Sequence, residues 1–145
     1  MNPVFIDTNI PMYAGGTDHP LREPSQQVIK AIVSGQLDAL TDAEVLQEIL
    51  YRYLHIQERQ KGFRVFDLFR RIMLGKILPI DDADVQQARE FAEVYPALSP
   101  RDLVHLSILI RHNLKVIVTT DLGFDIVKGI TRIDPQDIAV LFKNR

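Results

Sequence analysis

Residues 4–13 read Val-Phe-Ile-Asp-Thr-Asn-Ile-Pro-Met-Tyr. Val4, Phe5 and Ile6 favour a buried strand, and Pro11 suits the first turn of a helix, where its missing N–H is not needed. Asp7 then falls where a strand ends and a helix begins, a place that suits both a helix cap and a catalytic acid. Outward from this stretch the same grammar repeats. Short strand candidates at Val4–Ile6, Asp38–Leu40, Ile77–Ile80, Val116–Val118 and Thr131–Ile133 alternate with helical patterns at 24–34, 42–56, 63–74, 83–95, 100–113 and 136–142. Strands separated by helices predict a parallel sheet covered on both faces. The expected architecture is a single α/β domain over residues 1–145, with about five parallel strands and helices on both sides. Ligands of such sheets bind beyond the carboxyl ends of the strands, near the point where the strand order reverses.

A chain of 145 residues can bury roughly 70% of its unfolded surface. Its 46% hydrophobic and 25% charged residues are ordinary for a globular protein. With zero cysteines, disulfides, thiolate metal sites and thiol nucleophiles are excluded. No apolar run approaches about 18 residues, so no membrane span is expected. The N-terminus enters the first strand without a basic, apolar leader, which points to the cytoplasm. Net charge is −2, but it is unevenly spread. From Tyr51 to Lys76 seven bases face two acids, a local +5 that leaves −7 for the remainder. Arg52, Arg59, Lys61 and Arg64 belong to that stretch, which fits either a polyanion or a solvated helix face.

Four acids fall where this fold would bring them to the carboxyl end of the sheet. Asp7 and Asp121 follow the first and fourth strands directly. Either could cap a helix, but a cap does not require its counterpart on another strand to be acidic. Thr41-Asp-Ala-Glu44 matches a capping box, so Glu44 is expected to be structural. Glu48 lies just outside the apolar stripe running from Val45 to Leu54. It either points over the end of the sheet or pairs with Arg52 one turn on. Ser99-Pro-Arg-Asp102 also resembles a capping box, with Pro at the first helical position and Asp in place of Glu. Its helix is apolar almost all round, through Leu103, Val104, Leu106, Ile108, Leu109 and Ile110, so its first turn should face a cleft. His105, three residues after Asp102, reads more readily as a packing histidine than as a ligand.

Left bare, four convergent carboxylates would repel one another and raise their own pKa values. A hard cation such as Mg²⁺ or Mn²⁺ relieves that repulsion, and oxygen donors suit it. Such an ion shares its shell with phosphate oxygens and makes bound water more acidic. The chain has no Walker Gly-Lys-Ser/Thr, no cysteine and no Gly-x-Ser-x-Gly. What remains is metal-assisted hydrolysis of a phosphodiester.

Taken in order, Phe-Ile-Asp7-Thr-Asn9, Val-Leu-Gln-Glu48-Ile-Leu, Ser-Pro-Arg-Asp102-Leu-Val-His and Val-Thr-Thr-Asp121-Leu-Gly-Phe124-Asp125 resemble the successive motifs of PIN domains. The likeness extends over nearly the whole chain and is greatest to the VapC toxins of prokaryotic toxin–antitoxin pairs. It implies a Mg²⁺- or Mn²⁺-dependent endoribonuclease built on a parallel sheet. Asp7, Glu48, Asp102 and Asp121 would take the acidic ligand positions, and Asp125 would match a further, more variable acid. Thr8 and Asn9 would support the first acid, and Thr119 or Thr120 would hydrogen-bond around the ion. Thr120 departs from the pattern, which often has Asn there; the departure touches the surroundings of the ion rather than the chemistry. The resemblance further implies an RNA substrate, a homodimer and a small antitoxin partner; with RNA as the polyanion, the basic stretch assigns Arg52, Arg59, Lys61 and Arg64 to its binding.

Other readings meet specific obstacles. An aspartyl-phosphate enzyme of the haloacid dehalogenase type wants a second Asp where this chain has Asn9. A receiver domain wants a Lys after the fifth strand, where this chain has Asp134-Pro135. A non-catalytic PIN-like module that binds RNA or protein would be marked by loss of an acid, and all four are present.

Overall fold

The structure, a computed structural model, describes residues 2–142, so both ends of the expected 1–145 domain lie outside the described residues. Five strands lie parallel in the order β3-β2-β1-β4-β5: β1 (Val4–Ile6), β2 (Ala39–Asp42), β3 (Ile77–Leu78), β4 (Val116–Val118) and β5 (Thr131–Ile133). β1 is central, and Val4, Phe5 and Ile6 are all buried. Because neighbouring side chains of a strand point to opposite faces, this burial requires a covering layer on each side of the sheet. Removing Phe5 and Ile6 from water contributes about 1.5–3 kcal/mol each.

The helices are α1 (Asn9–Ala14), α2 (Arg22–Ser34), α3 (Ala43–His55), α4 (Arg59–Ile72), α5 (Asp82–Val94) and α6 (Pro100–Arg111). They pack in consecutive pairs, α1 on α2, α3 on α4 and α5 on α6. Leu122–Ile126 and Pro135–Leu141 are 3-10 turns; the first had no signal in the sequence, and the second replaces the expected C-terminal α-helix. No helix among the described residues is long and apolar enough to cross a membrane.

Register carries this architecture to the site. Ile6 lies opposite Val118 in the β1–β4 pair, so Asp7 and Thr119 emerge side by side at the carboxyl end of the sheet. The strand order reverses at β1, with β2 and β3 to one side and β4 and β5 to the other. The crevice that ligands favour in such sheets therefore opens over Asp7.

Two expected boundaries move for physical reasons that bear on function. β2 runs on to Asp42 instead of stopping at Leu40, because the Thr41 N–H donates to the Lys76 carbonyl and its hydroxyl donates to the Ile6 carbonyl at 2.9 Å. Thr41 therefore cannot cap α3. Asp42 does so, accepting the Val45 N–H at 3.0 Å, and the expected Thr41–Glu44 capping box does not form. The second shift concerns α4, which starts at Arg59 rather than Phe63 and so takes Gly62 into its first turn. A Cβ on Gly62 would collide with Tyr53 Cβ of α3. Glycine is there to let the two helices close, and its low helix propensity is outweighed by that contact.

Gly62→Ala should therefore destabilise the fold by about 1–3 kcal/mol despite alanine's better helix propensity. Urea unfolding would measure this; an unchanged or raised midpoint would show that α3 and α4 can separate without penalty.

Candidate active site

Asp7 begins the site, and the elements meeting at the end of β1 hold its carboxylate. The Thr8 N–H donates to Oδ1 at 2.7 Å, and the Thr119 hydroxyl, at the end of β4, donates to Oδ2 at 2.7 Å. Asn9 ties the two strand ends together: its Nδ2 donates to Thr119 Oγ1 at 2.9 Å and reaches Asp7 Oδ2 at 3.5 Å, while its Oδ1 accepts the Thr120 N–H. Thr120 thus contributes through its backbone. Asp7 is 4% exposed. Burial raises its pKa above the ordinary range against the pull of His105 and the Thr119 and Thr8 hydrogen bonds, and Glu48 adds to the rise.

Glu48 reaches the same place from α3. Val45, Ile49 and Tyr53 bury one side of that helix, and Glu48 is turned in with them at 8% exposed. The two roles left open for Glu48 coexist. Its Oε1 accepts the Thr8 hydroxyl at 2.8 Å, while its Oε2 pairs with Arg52 at 3.2 Å and lies 3.7 Å from Arg101. Arg101 also stands over the Tyr51 ring, 5.2 Å from its centroid.

Asp102 and Asp121 form a second pair. Ser99 Oγ accepts the Asp102 N–H at 3.2 Å, so half of the expected capping box is present. The Asp102 side chain does not complete it and instead stands where the charges of Asp7 and Asp121 act on it. Burial first, then Asp7 and Asp121, push Asp102 up to about 7, with His105 opposing. Asp121 is braced by the Thr119 hydroxyl, which accepts its N–H at 3.0 Å, and by the Gly123 N–H, which donates to its Oδ1 at 2.8 Å. The four acids thus converge from β1, α3, α6 and the end of β4. Asp125 is turned to Arg132 at 2.8 Å, away from this group.

Four residues at the site were missed by the sequence reading or set aside by it. Arg101 sat inside a motif already singled out. Glu44, set aside as half of a capping box, is free of that role and half-buried in the first turn of α3; burial raises its pKa against His105, and Asp42 and Glu48 raise it further. Asp42 and His105 are the remaining two. Both are 0% exposed, and His105 Nδ1 lies 2.7 Å from Asp42 Oδ2. Burial works against an imidazolium, but Asp42, with Asp7 and Asp102 behind it, outweighs burial and carries the His105 pKa to about 9. Of the expected basic contacts, Arg52 stands at the acids; Arg59 stacks on Phe63, and Lys61 and Arg64 border a groove between α1, α2 and α4.

Comparison with known proteins places this geometry in context. The PIN domain family model matches residues 4–130. Ribonuclease VapC13 of Mycobacterium tuberculosis is 37% identical over 130 residues, covering 90% of this chain and 98% of that protein. Among solved structures, DNA-bound VapBC from Salmonella typhimurium superposes with a TM-score of 0.70 at 20% identity, over 93% of this chain and 99% of that one. A toxin–antitoxin complex from Klebsiella pneumoniae gives 0.61 at 16% identity, over 91% and 97%. At those identities the structural likeness speaks for the fold.

The raised Asp102 pKa has a consequence for stability. Between the unfolded carboxylate pKa of about 4 and the folded value of about 7, the folded chain holds more protons than the unfolded one. Asp102 therefore makes the metal-free protein less stable as pH rises through that window. Asp102→Asn keeps the backbone N–H that Ser99 accepts, so it should raise the metal-free melting temperature at pH 7 by a few degrees and flatten the slope between about pH 4 and 7. Thermal melts in chelator across that range would test it; an unaltered slope would remove Asp102 from the coupled group.

Proposed function

The chain belongs to the PIN domain family, and from that premise we propose that it is a metal-dependent endoribonuclease, the toxin of a toxin–antitoxin pair. The observation that carries this reading is the convergence of Asp7, Glu48, Asp102 and Asp121 at the strand-order reversal, with Thr8, Asn9 and Thr119 fixing the first of them. Oxygen donors suit a hard divalent ion, Mg²⁺ or Mn²⁺, and Asp7, Glu48, Asp102 and Asp121 would hold it; burial already raises the pKa values of Asp7 and Asp102. When bound, the ion supplies positive charge beside the scissile phosphate and makes water a better nucleophile.

The chain's own groups do the rest. Thr119 and the Thr8 N–H keep both Asp7 oxygens in place, so the carboxylate need not reorganise when a phosphate arrives. Asp102, held up to about 7, can accept or return a proton. Arg101 and Arg52 place two guanidinium groups at the Glu48 edge, where an RNA phosphate would pass. We assign Arg59, Lys61 and Arg64 to the same backbone further along α4. We further propose a single nuclease domain over 1–145 and cytoplasmic residence, as the sequence pattern suggested, and a homodimer, as the family resemblance implies. An antitoxin partner is supported by the fold shared with a toxin–antitoxin complex and by the groove between α1, α2 and α4. Its Ile29, Leu68 and Ile72 are edged by Lys30, Lys61 and Arg64, which suits an apolar peptide carrying acidic side chains.

Cleavage of a generic single-stranded RNA in Mn²⁺ or Mg²⁺ tests the chemistry. Asp7→Asn and Asp102→Asn should abolish it. Glu44→Gln should lose less than about tenfold, or about 1.4 kcal/mol, because Glu44 stands beside the donor group rather than in it. Equal losses at Glu44 and Glu48 would mean that the wrong glutamate has been chosen. Neutralising Arg59, Lys61 and Arg64 together should flatten the salt dependence of RNA binding, since fewer counterions are released. An unchanged slope would assign those three to a solvated face or a protein interface.

A further inference from the structure

His105 is a histidine with one nitrogen accounted for and one not. Its Nδ1–H donates to Asp42 Oδ2 at 2.7 Å, and Asp42 is itself fixed because its other oxygen accepts the Val45 N–H at the start of α3. Phe5 packs against the ring, with centroids 5.3 Å apart. So held, the imidazole aims Nε2 at the acids. That atom is buried, has no hydrogen-bond partner and lies 3.7 Å from Asp7 Oδ1.

This spacing is too long for a hydrogen bond. It is close to the separation of two donors on one ion: at about 2.1 Å from a metal, ligands subtending 90° to 120° stand roughly 3.0–3.6 Å apart. Donor atoms of Asp7, Glu48 and His105 all lie within 4.8 Å of one another. In the metal-free protein the charged ring faces Asp7 across that 3.7 Å but makes no hydrogen bond there, and an apolar side chain would avoid leaving a buried polar atom so. A carboxylate behind a histidine is, moreover, the arrangement that orients metal-ligating imidazoles.

We propose that His105 Nε2 is a direct ligand of the cation beside Asp7 and Glu48, that Asp42 is the positioning residue behind it, and that this nitrogen makes the site prefer Mn²⁺ to Mg²⁺. The inference rests on the metal-dependent reading of the site and deepens it. Imidazole suits transition ions, whereas Mg²⁺ favours oxygen and keeps its waters. Ligation uses the Nε2 lone pair, so the ion takes the place of a proton on that atom, while Nδ1–H stays with Asp42.

Pulsed electron paramagnetic resonance of Mn²⁺ bound to the full-length protein reads the ligand directly. Wild type should show ¹⁴N coupling typical of imidazole, and His105→Gln should lose it. Titration should give a Mn²⁺ affinity about ten- to a hundredfold weaker in Asp42→Asn, while its folding is kept because Asn caps helices as well as Asp. The ratio of Mn²⁺ to Mg²⁺ affinity should fall in both variants. Absence of ¹⁴N coupling in wild type, with Mn²⁺ binding still abolished by Asp7→Asn, would overturn the proposal and leave an all-carboxylate centre. Mn²⁺ binding that survives Asp7→Asn would overturn the metal site itself, and the proposal with it.

Discussion

A carboxylate that water cannot reach must be answered by hydrogen-bond donors or by positive charge, and at Asp7 the protein uses both. Much of the fold near β1 is arranged around that requirement. Thr8 donates from its backbone to Asp7 and from its hydroxyl to Glu48, so the first turn of α1 serves two acids at once. Thr119 donates to Asp7 and accepts from Asn9 and Asp121, which makes the end of β4 the joint between the two acid pairs. Removing one of these polar groups would leave its partners buried and unpaired, so the network stands or falls as a unit.

The parallel sheet and its alternation of strand and helix were legible because β1 and β4 are short apolar runs bounded by clear helical patterns. The four acids were legible for a related reason: each sits just past a strand or in the early turns of a helix, so the topology alone carries it to the same end. The helix starts were harder. Thr41 and Asp42 are both good caps, and the choice between them is made by a ladder bond from Thr41 to Lys76, thirty-five residues away. The same blindness hid Asp42 and turned the reading of His105 toward packing. Their contact spans 63 positions and joins the tip of β2 to the middle of α6, and no local pattern reports it. Arg101 could have been found, since an arginine next to a cleft-facing acid is a natural counter-charge.

The two halves of the centre differ in character. Asp7, Glu48 and His105 form a floor whose positions are fixed by Thr8, Thr119 and Asp42. Asp102 and Asp121 sit nearer the surface, and burial together with Asp7 and Asp121 holds the Asp102 carboxyl up to about 7, so its charge can respond to whatever arrives.

The order of the sheet has a consequence for synthesis. β1 is made first but is flanked by β2 and by β4, and the acids that meet over it are separated by as many as 114 positions, from Asp7 to Asp121. A nascent chain that has emerged as far as α5 can pair β1 with β2, yet it lacks Asp102, His105, Thr119 and Asp121. Asp7 is then a half-solvated carboxylate on an open sheet edge. Such non-local closure is also the slow step in folding, because loop entropy is spent before the contacts form. The acid cluster is thus completed only when the part of the chain from α6 onward joins the sheet.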